Sequence, residues 1–465
     1  MCGICGFTGQ IIDRDETIKN MTEVITHRGP DDNGFYLDGG ISMGFRRLSI
    51  IDLGTGHQPI YNEDQTLVLT FNGEIYNYRE LREELLAQGH VFSTETDSEV
   101  LLHGFEQWGE KLLDRLRGMF GFAIYNKKDK SLFIARDFFG IKPMHYTQVG
   151  DSFVYASEIK SILQFPGFEK KFNYRALDNY LSFQYVVPPE TFFEGVYCLL
   201  PGHYLWYKDG KVTTTRYFEP QFHPDESMTE EEAVDKIEQV FENSVNAHKI
   251  SDVEVGCFLS SGVDSSYVST YFADQKTFTV GFDFGERYNE ISWAKRLSEK
   301  IGVDHRTKLI TSEEFWESIE KVQYHMDQPL ADPSCIALYF VSKLASESVK
   351  VVLSGEGADE LFGGYTVYNE PRVFKWYQRL LPYRLRMALY RFAKKLPDIK
   401  GRGFIMRGAR PIEEKFIGNA FMYDADDKKR ILKDPSIVTK PQDLCKKYYD
   451  RVKDYDEVTK MQYLD

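Results

Sequence analysis

A cysteine stands at position 2, behind an initiator methionine that a small following residue allows to be removed. Once Met1 is gone, the Cys2 thiol lies beside a free α-amine. Such an amine has an unperturbed pKa near ~7.7–8, so part of it is unprotonated at neutral pH and can serve as the local base. No histidine is then needed to activate the thiol. Two further places carry chemistry. Leu259-Ser260-Ser261-Gly262-Val263-Asp264-Ser265-Ser266 and Ser354-Gly355-Glu356-Gly357-Ala358-Asp359 are small-residue turns, each at the end of an apolar run. Backbone N–H groups and serine hydroxyls at such turns cradle anions, and a following helix N-terminus adds to the field. Neither turn has the lysine of a Walker A loop. Plainer readings stand beside these. Cys2-x-x-Cys5 could be a redox pair or half of a zinc site, although no second Cys-x-x-Cys exists and no strand precedes it. A serine-rich turn also caps helices without binding anything.

The elements that must position these residues fall into two patterns. Strand-like runs at Thr66–Phe71, Met119–Tyr125, Leu132–Ala135 and Phe153–Ala156 follow one another through short turns, with a helix over Tyr78–Gln88 stopped by Gly89. That order predicts antiparallel sheet with helices laid on it. Glu219–Met228 is polar, with two prolines and no apolar period, and reads as a boundary. Beyond it Thr229 and Glu232 form a capping box for a helix whose Val234, Ile237, Phe241 and Val245 share one face. Strands at Val253–Leu259, Thr277–Phe282 and Val349–Leu353 are then separated by helices, one of them at Cys335–Ser348. Such alternation predicts a parallel sheet with ligands at the carboxyl ends of its strands. A last helix from about Asp443 carries Tyr448, Val452, Tyr455, Val458 and Met461 at helical spacing.

Composition narrows the class. Of 465 residues 42% are hydrophobic and 28% charged, which excludes a disordered chain and a coiled-coil rod. No apolar run reaches the ~18 residues of a membrane helix, and the first residues lack a secretory pattern. Six scattered cysteines do not make a disulfide framework, in keeping with a reducing, cytoplasmic setting. The net charge of −14 argues against a nucleic-acid binder. Residues 366–465 nonetheless hold 23 basic against 14 acidic side chains. These read as solvated helix faces or as a positive wall beside a polyanion.

Three polar islands complete the first half: Arg47-Leu48-Ser49-Ile50-Ile51-Asp52, Phe71-Asn72-Gly73-Glu74-Ile75-Tyr76-Asn77 and Thr96-Asp97-Ser98-Glu99. With the leading Cys-Gly-Ile, His27-Arg28-Gly29-Pro30-Asp31-Asp32 and the run from Arg136 to Pro143, they resemble the glutaminase domain of class II glutamine amidotransferases. The resemblance implies that Cys2 attacks the glutamine amide and that Asn72 and Gly73 hold the oxyanion. Arg47, with Leu48, Ser49, Ile50 and Ile51, would take the carboxylate end of glutamine, and Glu74 and Asp97 its ammonium. These residue types suit a zwitterion, for which a planar donor and acidic acceptors are needed. Surface ion pairing would explain any one of the charged residues alone.

In the second half the serine turn resembles the pyrophosphate loop SGGxDS, either as Ser261–Ser265 with one glycine fewer or from Ser260 with serine at the middle position, a departure that requires a negative φ at Ser261. Ser354–Tyr365 resembles the SGEGADELFGGY signature of glutamine-hydrolysing asparagine synthetases. The resemblance implies an α+β N-terminal-nucleophile αββα sandwich over residues 2–215. An α/β parallel-sheet ATP-pyrophosphatase domain with a helical C-terminal part would follow over 229–465. Leu259, Ser260, Ser261, Gly262, Asp264, Ser265, Ser266, Val280, Ser354 and Gly355 would then bind ATP, Asp264 and Asp359 would hold Mg²⁺, and Glu356 would assist acyl-adenylate formation. Glutamine, aspartate and ATP are the implied partners, in a homodimer without nucleic acid or membrane. Met326–Ser334 is where the family places its acid substrate. A relative that amidates another carboxylic acid, or that only supplies ammonia to a partner, is the alternative. Other pyrophosphate-loop enzymes leave Cys2 unexplained, and a non-catalytic protein of this fold would show no glutaminase turnover. The last helix stops at Asp465 without Gly, Pro or a polar tail, where the family carries further helices. From this the expectation is an incomplete synthetase domain, with glutamine hydrolysis intact and amide synthesis poor.

Overall fold

The structure, a computed structural model, describes residues 1–272, 275–285 and 289–465. They divide into two compact units. One comprises Met1–Asn173, Pro188–Pro329 and Pro333–Ser354, the other Tyr174–Val187, Leu330–Asp332 and Gly355–Asp465.

The first unit begins with strands β1 (Gly3–Thr8), β2 (Asp32–Leu37), β3 (Ile41–Arg47), β4 (Ile60–Tyr61), β5 (Leu67–Ile75), β6 (Gly118–Asn126), β7 (Ser131–Arg136), β8 (His145–Val149), β9 (Ser152–Ala156), β10 (Tyr197–Cys198), β11 (His203–Lys208) and β12 (Lys211–Arg216). They form two six-stranded sheets, ordered β10-β8-β9-β1-β3-β2 and β12-β11-β7-β6-β5-β4. The pairings are antiparallel throughout. Four helices cover them: α1 (Arg14–Glu23), α2 (Tyr78–Ala87), α3 (Asp97–Trp108) and α4 (Ile159–Ile162).

Strand alternation explains the layering, because neighbouring side chains point to opposite faces. On β1, Ile4 packs between the sheets with Phe45, Val68 and Tyr155, whereas Cys5 and Phe7 face outward onto Ile18 and Met21 of α1 and Ile159 and Ile162 of α4. On β5, Val68 points inward, while Leu69, Phe71 and Ile75 meet Leu81 and Leu85 of α2 and Val100 and Leu101 of α3. Each such fully buried side chain contributes roughly 1.5–3 kcal/mol. The result is the expected αββα sandwich.

The same unit then folds as a parallel sheet of β13 (Val255–Phe258), β14 (Lys276–Phe282), β15 (Asp304–Ile310) and β16 (Val351–Leu353), ordered β15-β14-β13-β16. Strand β15 was not expected. It is an edge strand of sequence DHRTKLI in which only Ile310 is buried, so no apolar alternation marks it. After α5 (Tyr174–Phe183), which belongs to the second unit, come α6 (Glu230–His248), α7 (Val263–Ser269), α8 (Ile291–Ile301), α9 (Ser312–His325) and α10 (Ser334–Ser346). The Thr229–Glu232 capping box of α6 is present. The apolar stripe of α6 packs only at its C-terminal end: Phe241 and Val245 join the β13 core, whereas Val234 and Ile237 are exposed.

In the second unit α5 packs with the later helices around Phe183, Tyr368, Ile412, Phe416, Tyr449 and Met461. The single terminal helix expected from Asp443 is instead two, α11 (Pro441–Arg451) and α12 (Glu457–Leu464). Asp456 accepts from the N–H groups of Val458 and Thr459 and so starts a new helix, which the continuous aromatic spacing conceals. The Asp465 carboxylate accepts from the Tyr368 hydroxyl at 2.7 Å and the Asn419 N–H at 3.2 Å.

Candidate active site

Alternation on the two central strands decides what meets between the sheets. Cys2 lies on the Ile4 side of β1 and packs partly buried against the inter-sheet core. Asn72 and Glu74 follow Val68 at even spacing on β5 and so point toward the same layer. The Leu48 N–H donates to Cys2 Sγ at 3.4 Å, and Arg28 Nε donates to the Cys2 carbonyl at 2.9 Å. Cys5, on the opposite face, has its Sγ 3.4 Å from Thr22 Oγ1, and all six cysteines are free. The redox-pair reading of Cys2 and Cys5 is thereby excluded.

Asn72 is 1% exposed, yet neither Oδ1 nor Nδ2 of its amide has a hydrogen-bond partner among the described residues. An unpaired buried amide costs about 1–3 kcal/mol, so this one is held ready for something else. Gly73 runs tight against β6: a Cβ there would lie 2.2 Å from the Met119 carbonyl oxygen.

Charge in the pocket is unbalanced. Burial, reinforced by the Asp97 charge, raises the Glu74 carboxyl to about 7, and burial also raises Asp97 to about 7. Asp97 opens α3 and accepts from the Ile75 N–H at 2.9 Å, which fixes it beside the end of β5. Burial raises the Cys2 thiol and lowers the Met1 amine, to about 5, in a setting shared with Glu74 and Lys142. Two buried carboxyls that titrate near neutrality are poised for a cation.

Arg47 is buried and is aligned by its loop, with Nη2 donating to the carbonyls of Ile51 and Asp52. Asp31 accepts from the Ser49 N–H at 2.9 Å and from Lys350 Nζ at 2.6 Å. Asp252 bonds the same loop twice, through its N–H to the Ile50 carbonyl at 3.0 Å and its carboxylate to the Asp52 N–H at 2.7 Å.

Lys142 was not singled out in advance. It is 3% exposed, its Nζ lies 3.0 Å from the Met1 sulfur, and burial lowers it to about 8 despite the attraction of Glu74. Its only sequence signal is its place in the run from Arg136 to Pro143. The rest of that run is scaffold: Asp137 accepts from the N–H groups of Phe120, Phe139, Ile141 and Lys142, and Arg136 donates to the carbonyls of Gly140, Lys142 and Leu199.

The second turn is built from its serines. Ser260 N–H and Oγ both meet Ser265 Oγ, at 3.1 and 2.6 Å, and the Gly262 N–H donates to Ser260 Oγ at 3.0 Å. The Ser266 hydroxyl donates to the Gly262 carbonyl at 2.6 Å. The Ser261 N–H donates to a carboxylate oxygen of Glu290 at 3.1 Å, so an anionic oxygen already sits on this loop. Ser261 is not among the residues with positive φ, and the serine at that position is accommodated without strain. Leu259 is buried and pairs its N–H with the Phe278 carbonyl, and Val280 is half-buried farther along β14. Asp264, in the first turn of α7, makes no hydrogen bond or ion pair among the described residues and is a hard-oxygen donor of the kind Mg²⁺ takes. Ser354 ends the first unit. Gly355, Glu356 and Asp359 belong to the second, where Glu356 is exposed and Asp359 half-buried in the short helix Ala358–Phe362. Within the first unit, Asp327 and Gln328 brace the sandwich rather than stand free. Asp327 accepts from the N–H groups of Ile159 and Lys160, and Gln328 from that of Phe192.

Residues 1–218 match the family model described as glutamine amidotransferase domain, and residues 236–465 match that of asparagine synthase. The chain is 41% identical to asparagine synthetase [glutamine-hydrolyzing] 1 of Bacillus subtilis, over 99% of this chain and 75% of the relative. It is 37% identical to the putative asparagine synthetase [glutamine-hydrolyzing] of Mycobacterium tuberculosis, over 100% and 76%. With putative asparagine synthetase [glutamine-hydrolyzing] 2 of Methanocaldococcus jannaschii the identity is 32%, over 79% and 76%. The sandwich with its terminal cysteine, the parallel sheet with its serine loop and these matches agree: the chain belongs to the glutamine-hydrolysing asparagine synthetase family.

Proposed function

We propose that the protein converts L-aspartate, ATP, L-glutamine and water into L-asparagine, AMP, pyrophosphate and L-glutamate. The observation that carries the glutaminase half is the unpaired amide of Asn72 in the layer that holds Cys2. After removal of Met1, the Cys2 α-amine takes the thiol proton and the sulfur attacks the amide carbon of glutamine. Asn72 Nδ2 and the Gly73 N–H stabilise the oxyanion, ammonia leaves, and water cleaves the thioester. Arg47 and the loop Leu48, Ser49, Ile50 and Ile51 bind the glutamine carboxylate, and Glu74 and Asp97 its ammonium. Lys142 keeps positive charge beside Glu74 and the thiol.

In the synthetase half, Leu259 and Val280 flank the nucleoside of ATP. Ser260, Ser261, Gly262, Asp264, Ser265 and Ser266, with Ser354 and Gly355, bind the phosphates. Asp264 and Asp359 are proposed as Mg²⁺ ligands. The ion would neutralise the pyrophosphate that departs when the aspartate side chain is adenylated, and Glu356 would assist that step. Ammonia then displaces AMP. The same reading has residues 2–215 and 229–465 as the working domains of a cytoplasmic homodimer with no nucleic-acid partner.

Cys2→Ala tests the division of labour. It should abolish glutamine-dependent asparagine formation and leave ammonium-dependent formation intact. Loss of both in a folded variant would refute separate sites. Pyrophosphate release with aspartate, compared with other carboxylic acids, tests the acceptor.

A further inference from the structure

Away from the glutamine pocket, Glu63, His90, His103 and Glu106 converge from three elements. Glu63 is in the turn before β5, His90 follows α2, and His103 and Glu106 lie one helical turn apart on α3. One donor atom from each lies within 4.8 Å of all the others. His90 Nδ1 is 3.3 Å from Glu63 Oε1 and 3.8 Å from Glu106 Oε2, and His103 Nδ1 is 3.4 Å from Glu63 Oε2 and 3.9 Å from Glu106 Oε2. A tetrahedral ion with bonds of ~2.0–2.1 Å sets donors ~3.3–3.4 Å apart, so these histidine–carboxylate pairs already lie within about half an ångström of that spacing, and the widest donor pair, inside 4.8 Å, closes by rotation of the glutamate side chains.

The outer partners dictate which ring nitrogens face inward. His103 is wholly buried and places Nε2 3.3 Å from Glu99 Oε1, while its Nδ1 has no hydrogen-bond partner among the described residues. Glu99 is itself fixed by the N–H groups of Ser93 and Thr94 at 2.8 and 2.7 Å. A carboxylate that accepts from Nε2–H leaves a lone pair on Nδ1. His90 repeats the arrangement with Nε2 3.2 Å from Gln107 Oε1. Glu63 accepts from the Val91 N–H at 2.9 Å, and Glu106 from Asn62 Nδ2 at 3.2 Å. Two imidazole lone pairs aimed at two carboxylates repel unless a metal ion or added protons lie among them. Every donor also has the second partner that orients a metal ligand. The two glutamates are about a third exposed, which leaves an ion a way in.

We propose that Glu63, His90, His103 and Glu106 bind a divalent transition-metal ion, zinc by the match to two imidazoles and two carboxylates. All four positions are filled by protein, so the site is structural. It fastens two loops to α3, whose first residue is Asp97. The competing arrangement is a metal-free network of imidazolium and carboxylate groups.

The test uses the full chain, stripped by a chelator and then dialysed against zinc chloride. About one zinc per chain should remain by elemental analysis, Tm should rise with zinc, and cobalt(II) should give the intense visible absorption of a tetrahedral site. His90→Ala, Glu63→Gln and Glu106→Gln, the two glutamates being about a third exposed, should each weaken zinc binding at least ~10-fold. Cys2→Ala should bind zinc like the parent, which excludes the nucleophile as the ligand. Absence of stoichiometric zinc, or equal binding by the parent and by Glu63→Gln and Glu106→Gln, would overturn the proposal in favour of the charged network.

Discussion

Replacing Asp97 by asparagine should make the protein more stable and a worse glutaminase at once. A carboxyl whose pKa is higher in the folded chain than in the unfolded one binds its proton more tightly when folded. Its burden on stability is therefore absent below the unfolded pKa, grows as pH rises, and is complete above the folded value. Asp97 rises from an ordinary 3.8 to about 7, so the burden builds between those values and reaches about 4 kcal/mol above pH ~7, at 1.36 kcal/mol per decade. Asparagine keeps an oxygen for the Ile75 N–H and removes the charge, at the expense of an amide NH₂ that needs a partner. A net gain of about 2 kcal/mol at pH ~8 follows, roughly 4–8 °C in the Tm of a domain this size, and it should shrink by half or more at pH ~5. Function moves the other way. A charge-assisted contact to the glutamine ammonium contributes about 1.5–3 kcal/mol, so kcat/KM should fall ~10- to 150-fold, mainly through KM. In the parent, kcat/KM should rise with pH through about 7 as the Glu74–Asp97 pair ionises, and in Asp97→Asn that limb should move to lower pH. The assays are thermal unfolding at the two pH values and glutamate release against pH. A variant no more stable than the parent at pH ~8, or one with unchanged KM for glutamine, would refute the reasoning.

Asn72→Ala should lower kcat for glutamine hydrolysis by about 10²–10³ while leaving Tm unchanged or slightly raised, because its amide has no partner to lose. A fall in Tm at undiminished kcat would assign the residue to the fold alone. Glu290→Gln should tighten ATP about 2- to 5-fold in calorimetry, since its carboxylate sits on the Ser261 N–H that phosphate would use. Weaker ATP binding by that variant would show Glu290 to be part of the cradle.

What the sequence reveals here is what depends on local order. Asn72 and Glu74 share a face because a strand alternates, and Thr229 and Glu232 form a capping box because three residues make one turn. What it hides depends on assembly. Lys142 gains its meaning from Cys2 and Glu74, far away in the chain, and Asp327 is spent on the N–H groups at the start of α4. Of the four residues at the proposed zinc site, only His103 and Glu106 stand at a suggestive spacing, and Glu63 and His90 join them only when two loops close on α3. The edge strand β15, polar for five of its seven residues, lacks an apolar alternation, and the Asp456 cap interrupts a spacing that otherwise reads as one helix.

The loop from Leu48 to Asp52 is moored at both Asp31 and Asp252. Lys350, which holds Asp31, directly precedes β16, and Asp252 stands three residues before β13. These two strands pair with Val255 opposite Val351, so both moorings enter the sheet at the same edge of adjacent strands. At ~3.3 Å per residue, the four residues of β13 set the serine loop about 13 Å downstream of that edge. The strand thus acts as a ruler between the glutamine loop and the phosphate cradle. Binding free energies along such a connection are reciprocal: whatever ATP does to the affinity for glutamine through these strands, glutamine does to the affinity for ATP by the same factor.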